Sequence, residues 1–178
     1  MLKARPDVWD IGSAIEQRLE LDWWRLAHSY RADLVAPGQP CVLWITRGDT
    51  RVPSGIWAHG RILSEAVPGP GDPDDGLWCD KVAQLQIRPR VEVELTVLAQ
   101  PLRREELAAD PRLRRMEILR VPRIGNPAAL TPSEWQVVRE LLPPEAGSGI
   151  DRLADGLGQR VPAQRGALDP DGELDDPA

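Results

Sequence analysis

Residues 37–46, PGQPCVLWIT, and residues 54–65, SGIWAHGRILSE, decide how this chain folds. Pro37, Gly38 and Pro40 are turn formers, proline by fixing φ and glycine by admitting positive φ. The CVLWITR that follows is rich in residues that suit strands, so a well-buried strand is expected there. RGDTRVPSG then turns the chain into IWAHGRILSEAV. In that segment Ile56, Ala58, Gly60 and Ile62 fall on one face of a strand, and Trp57, His59, Arg61 and Leu63 on the other. The two strands are expected to pair as an antiparallel hairpin.

Toward the C-terminus, residues 68–76 (PGPGDPDDG) form a polar Pro/Gly loop, and QLQIRPRVEVELTVL then alternates as further strand. Its long element is expected at 91–98, with Pro89 marking an edge or a break. Residues 103–123 suit short helical turns, because Pro111 and Pro122 limit their length. Thr131-Pro-Ser-Glu134 combines an N-cap, proline at the first helical position and glutamate at the third, which predicts a helix over 132–142. Its Trp135 lies on the apolar face.

Toward the N-terminus, Asp10 caps a segment with apolar residues at 11, 14, 15 and 19, which predicts an amphipathic helix over 11–20. Strands after an N-terminal helix and before a terminal one make an α+β domain on a small, partly closed β-barrel flanked by short helices. The domain is read as residues 1–142. Residues 143–178 are Pro, Gly, Ala and Asp-rich without aromatics, and are expected to be a disordered acidic tail.

The 178 residues carry 42% hydrophobic side chains, normal for one globular domain, and no run long enough for a membrane helix. The opening lacks an apolar signal core, so a cytoplasmic location is expected. Of the net charge of −6, most resides in the tail. Cys41 and Cys79 stand alone beside apolar stretches and read as buried small hydrophobes. His28 and His59 are far apart, so no metal ligand set and no cofactor is expected. Asp72, Asp74 and Asp75 read as a solvated loop rather than paired acids.

The chain has no phenylalanine, one tyrosine and seven tryptophans, two of them adjacent at Trp23 and Trp24. Neighbouring side chains diverge, so one of the pair packs inward and the other faces a cleft or solvent. Some tryptophans must be core, but tryptophan is also the largest face on which a flipped nucleobase can stack.

The order KARP, W…SYRADL, PGQPCVLWIT, SGIWAHGRILSE and RVPRIGNPAALTPSEW resembles the EVE domain, a member of the PUA-like group. The positions that carry the resemblance are Trp24, Tyr30, Asp33, Gly38, Trp44, Gly55, Ile56, Ala58, Gly60, Asn126, Pro127 and Thr131 to Trp135. Gln39 stands where aspartate is common, and His28 and Ser29 where arginine or asparagine is. The resemblance implies a non-catalytic module that binds DNA or RNA by enclosing a modified or flipped base in an aromatic pocket. It implies Trp24 and Tyr30 as walls, His28 or Ser29 at a base edge, Trp57 as a further wall and Trp44 as a weaker one, with Trp23 left to the core.

Residues 103–123 hold seven arginines against four acidic residues, and Arg112, Arg114 and Arg115 are the expected phosphate contacts. Two other readings stay open. One is a small hydrolase of modified nucleosides with His59 or Asp33 as proton carrier, and the other is a peptide-binding interaction module.

Overall fold

A computed structural model describes residues 1–46, 51–73, 75–121 and 123–143; all of the expected tail beyond Pro143 lies outside these residues. In chain order the elements are β1 (Leu2–Ala4), α1 (Ile11–Glu16), β2 (Trp23–Arg25), β3 (Pro40–Ile45), β4 (Gly55–Ile62), β5 (Val67–Gly69), α2 (Lys81–Leu85), β6 (Arg88–Arg103), α3 (Arg104–Ala109), α4 (Glu117–Arg120) and α5 (Pro132–Leu141). Ala32–Leu34 and Pro111–Leu113 are 3-10 turns. The strands form one mixed sheet in the order β1-β3-β4-β6-β2, with β5 also on β6. Only β1 and β3 run parallel. The sheet curls into a nearly closed barrel flanked by a few short helices.

The run Cys41 to Ile45 is apolar without interruption because β3 is covered on both sides. Cys41, Leu43 and Ile45 point into the barrel, where they meet Leu2, Ile11, Ala14 and Val91. Val42 and Trp44 point outward against Leu107, Ile118 and Val138 of the flanking helices. Each such side chain stabilises the fold by about 1.5–3 kcal/mol on leaving water.

The hairpin of β3 and β4 is antiparallel, as its sequence predicts, but the strict alternation along β4 fails at one residue. Trp44 pairs with Ile56 and Leu43 with Ala58, so Trp57 is the extra residue of a β-bulge. The bulge sends Ile56 to the outer cluster while Ala58 and Ile62 stay inside. Gly60 is fixed by β6, since a Cβ there would lie 1.7 Å from the Glu94 carbonyl oxygen.

Two elements differ in length from expectation. α1 ends at Glu16 because Arg18 turns left-handed at φ 55°, which leaves Leu19 on the surface. β6 is 16 residues long and passes through Pro89 without a break. Pro89 lacks an N–H, but it lies opposite Pro68 of β5, and its carbonyl accepts from Leu26 N at 2.7 Å. β1 is only three residues. α5 starts with the expected capping box, in which Thr131 Oγ1 accepts from Glu134 N and Glu134 Oε2 accepts from Thr131 N.

β1 and β2 are the two ends of the sheet, and side chains rather than a strand ladder join them. Lys3 N donates to Asn126 Oδ1 at 3.1 Å, and Asn126 Nδ2 donates to Arg25 O at 2.7 Å. Trp24 Nε1 donates to Lys3 O at 3.2 Å. One amide and one indole thus bridge the seam, and they satisfy edge groups that would otherwise need water.

Candidate nucleic-acid interface

Along this seam runs a cleft of about 1620 Å³. Five of the seven tryptophans line it: Trp9, Trp23, Trp24, Trp44 and Trp78. Trp24 is buried and meets the Trp9 ring edge to face, with centroids 6.1 Å apart. Trp9 Nε1 donates to Asp75 Oδ2 at 2.5 Å, so Asp75 orients the ring instead of sitting in a purely solvated loop. Asp74 lies outside the described residues.

Successive side chains alternate on β2, so with Trp24 inside, Trp23 and Arg25 stand on the outer face. Their register partners on β6 are Glu92 and Arg90. The Arg90 guanidinium lies 4.5 Å from the Trp23 ring centroid, and the Arg25 guanidinium 5.0 Å from that of Trp78. Both are cation–π contacts. Arg25 also donates to Ala83 O at 2.8 Å and to Gln86 O, which ties β2 to α2. Arg88 donates through Nη2 to Gln86 Oε1 at 2.6 Å. Among the described residues, no carboxylate pairs with Arg25, Arg88 or Arg90. Burial, then the charges of Arg88 and Arg90, hold Arg25 below the usual arginine range. Lys3, also on the cleft, donates from Nζ to Ile124 O, and burial lowers its pKa.

The expected pocket residues separate. Trp24 and Trp44 line the cleft; His28, Ser29, Tyr30 and Trp57 do not. The assignment of Trp23 to core and Trp24 to an open face is reversed in burial, since Trp23 is 39% exposed and Trp24 7%. The inward direction at this point of β2 belongs to the residue opposite Val91, which is Trp24. His28 Nε2 contacts Ile87 O at 3.0 Å, while Ser29 Oγ is buried without a partner. Tyr30 is 70% exposed beside Arg31. Trp57 donates to Pro53 O at 2.8 Å and packs on the barrel core. Trp44 belongs to the outer cluster.

His59, expected on an outward face, is buried, with Nδ1 unpartnered and its pKa lowered by desolvation. Cys41 is buried, which pushes its thiol up to about 12, but Cys79 is exposed, contrary to the reading of both as core. Arg112 is engaged by Asp110 and by Glu140, at 2.8 and 2.7 Å. Arg114 and Arg115 are exposed on the same turn, and none of the three lines the cleft. Among the described residues no cluster of His, Cys, Asp and Glu is placed to hold a metal, and no helix is long and apolar enough to cross a membrane.

Sequence reasoning missed Trp23, Trp78, Arg25, Arg88 and Arg90 as a group. The available signal was alternation: W23-x-R25 and R88-x-R90 each put two polar or amphipathic side chains on one strand face, with Trp24 and Val91 on the other. That these faces coincide depends on the pairing of β2 with β6, which no local pattern reveals.

Several solved structures share the fold. A Pseudomonas syringae protein is 19% identical, with a TM-score of 0.56 over 79% of this chain and 96% of its own. A Pseudomonas putida protein is 20% identical, with a TM-score of 0.57 over 79% and 97%. A Leishmania major protein is 14% identical, with a TM-score of 0.55 over 79% and 90%. No curated protein matches the sequence. The EVE domain family model matches residues 1–141, and with that span, barrel and motif order in agreement, the chain belongs to the EVE domain family.

Proposed function

We propose that this protein is a non-catalytic binding module that takes a modified or flipped base of DNA or RNA into the seam cleft. EVE domains are PUA-like modules, often nucleic-acid binding. The observation that carries the reading is the pairing of tryptophan faces with carboxylate-free arginines at one cleft. Bases are held by aromatic stacking and their backbones by cations, and this cleft offers both. In this reading Trp23 offers the exposed stacking face, and Trp24 with Trp9 forms the inner wall.

The hydrolase reading has less support, because its proton carriers His59 and Asp33 do not line the cleft. The peptide reading lacks an argument of its own. The test is a binding screen of oligonucleotides, single-stranded and duplex, that carry methylated, hydroxymethylated and unmodified bases. Saturable binding with preference for one modification supports the proposal. Absence of binding across the screen defeats it.

A further inference from the structure

We infer that Arg88 and Arg90 form a seat for a backbone phosphate next to the stacking face of Trp23, an inference that rests on the nucleic-acid reading above. The register puts Arg90 directly opposite Arg25, with Arg88 two residues along the same face of β6. Like charges directly opposite each other on a sheet are destabilising, and a fold that merely needed the strands would place a carboxylate among them. The two acidic residues farther along this face of β6 are Glu92 and Glu94; Glu94 pairs with Arg61, and among the described residues neither forms an ion pair with these arginines.

The three guanidinium groups differ in what they already hold. Arg25 is committed to two backbone carbonyls and stacked on Trp78. Arg88 shares one side-chain amide oxygen, through Nε and Nη2. Arg90 has no hydrogen-bond or ion-pair partner among the described residues, and its guanidinium lies over the Trp23 ring. The inner edge of its guanidinium is nonetheless held: a Cβ at Gly69 would lie 2.5 Å from Arg90 Nε and 2.9 Å from Cζ, so Nε is buried against the β5 backbone. A guanidinium packed at Nε, with terminal nitrogens that have no partner among the described residues, is preorganised for a tetrahedral oxyanion. The aromatic ring under the fork selects among oxyanions, because a nucleotide brings a flat base together with its phosphate, whereas an acidic side chain does not.

The test uses the full chain and fluorescently labelled oligonucleotides, both single-stranded and duplex, with anisotropy read across a range of salt. Arg90→Gln and Arg88→Gln are each expected to weaken all oligonucleotides alike. They should flatten the log–log salt dependence by about 0.7 per lost contact on single strands and about 0.9 on duplex. Arg90→Lys keeps the charge but loses the fork, so it should retain the slope and lose affinity. Thermal melting confirms that each variant is folded, and if Arg90→Gln is not, Arg88→Gln and Arg90→Lys carry the measurement. An unchanged slope in folded variants, with wild-type binding intact, overturns the seat and leaves the nucleic-acid reading standing. If the wild type binds no oligonucleotide, the nucleic-acid reading itself fails and the seat with it.

Discussion

Two regions of the molecule are rich in arginine, and they use it in opposite ways. In the segment from α3 to α4, Arg104 and Arg112 hold structure. Arg104 donates to the carbonyls of Ile118 and Leu119, Arg112 pairs with Asp110 and Glu140, and Glu117 receives both terminal nitrogens of Arg31 at 2.8 Å. On the outer face of β2 and β6, Arg25 and Arg90 stack on tryptophan, and among the described residues neither they nor Arg88 pairs with a carboxylate. Density of arginine along a sequence therefore does not measure charge available to a ligand. What decides is whether the fold supplies local acids, and a helical segment with acids a few residues away supplies them where a strand face need not.

The largest expected effect separates the two faces of β2. Trp24→Ala removes a buried ring that packs on Trp9 and bonds across the seam, and should cost about 3–5 kcal/mol of unfolding free energy in a denaturant titration. Trp23→Ala, one residue away, should leave the midpoint nearly unchanged and remove about 1–3 kcal/mol of oligonucleotide binding. If both variants lose stability and neither loses affinity, the outer face is ordinary surface and the contrast between the regions collapses.

Next in size is the seam. Asn126→Ala strips partners from Lys3 N–H and Arg25 C=O together, at a cost of about 1–3 kcal/mol for each group left unsatisfied away from water. Amide exchange at Lys3 should quicken in this variant more than at residues within β3. Equal protection at the two sites would show that the seam is held by packing alone.

β3, β4 and α5 were legible because each carries a complete local signal: turn formers before CVLWI, alternation through GIWAHGRI, and a capping box before Trp135. The bulge at Trp57 and the left-handed turn at Arg18 carry none, since a single residue changes face or direction without altering the pattern around it. The pocket was half legible. That Trp23 and Trp24 part ways follows from strand geometry, but which one enters the barrel depends on the pairing of Trp24 with Val91, a contact between residues far apart in the chain. The same long-range pairing brings Arg25 to Arg90. Arginines at 103–123 stand out because they are close in sequence, and for the same reason acids such as Asp110 are close too.

Acid should act on the two regions unequally. Arg31 beside Glu117, and Arg112 beside Asp110 and Glu140, hold these carboxylates below their ordinary range. A carboxylate lowered in the folded state takes up its proton first in the unfolded chain. Its stabilisation is therefore complete above about pH 4.3 and is lost as pH falls through the folded value. Glu117→Gln should flatten the acid limb of the stability curve. An acid limb unchanged in this variant would mean that Arg31 does not hold Glu117 down in solution.

The smallest effect is the sharpest test of the comparison. Arg112 has a fork occupied by two carboxylates, yet it is on the surface, where solvent screens such a pair and leaves it little net worth. Arg112→Gln should thus shift the denaturation midpoint only slightly. Its consequence for binding follows from the same geometry, because an arginine already neutralised by Asp110 and Glu140 releases few counterions from a nucleic acid that approaches it. The slope of log affinity against log salt should stay at the wild-type value in Arg112→Gln, and likewise in Arg112→Gln combined with substitutions at Arg114 and Arg115, which share the turn but lie off the cleft. A slope lowered by about 0.9 for each arginine on duplex would return the phosphate contacts to residues 103–123 and make the cleft arginines the structural ones. The two regions would then have exchanged roles, and the availability of a charge would have to be sought in its exposure instead of its partners.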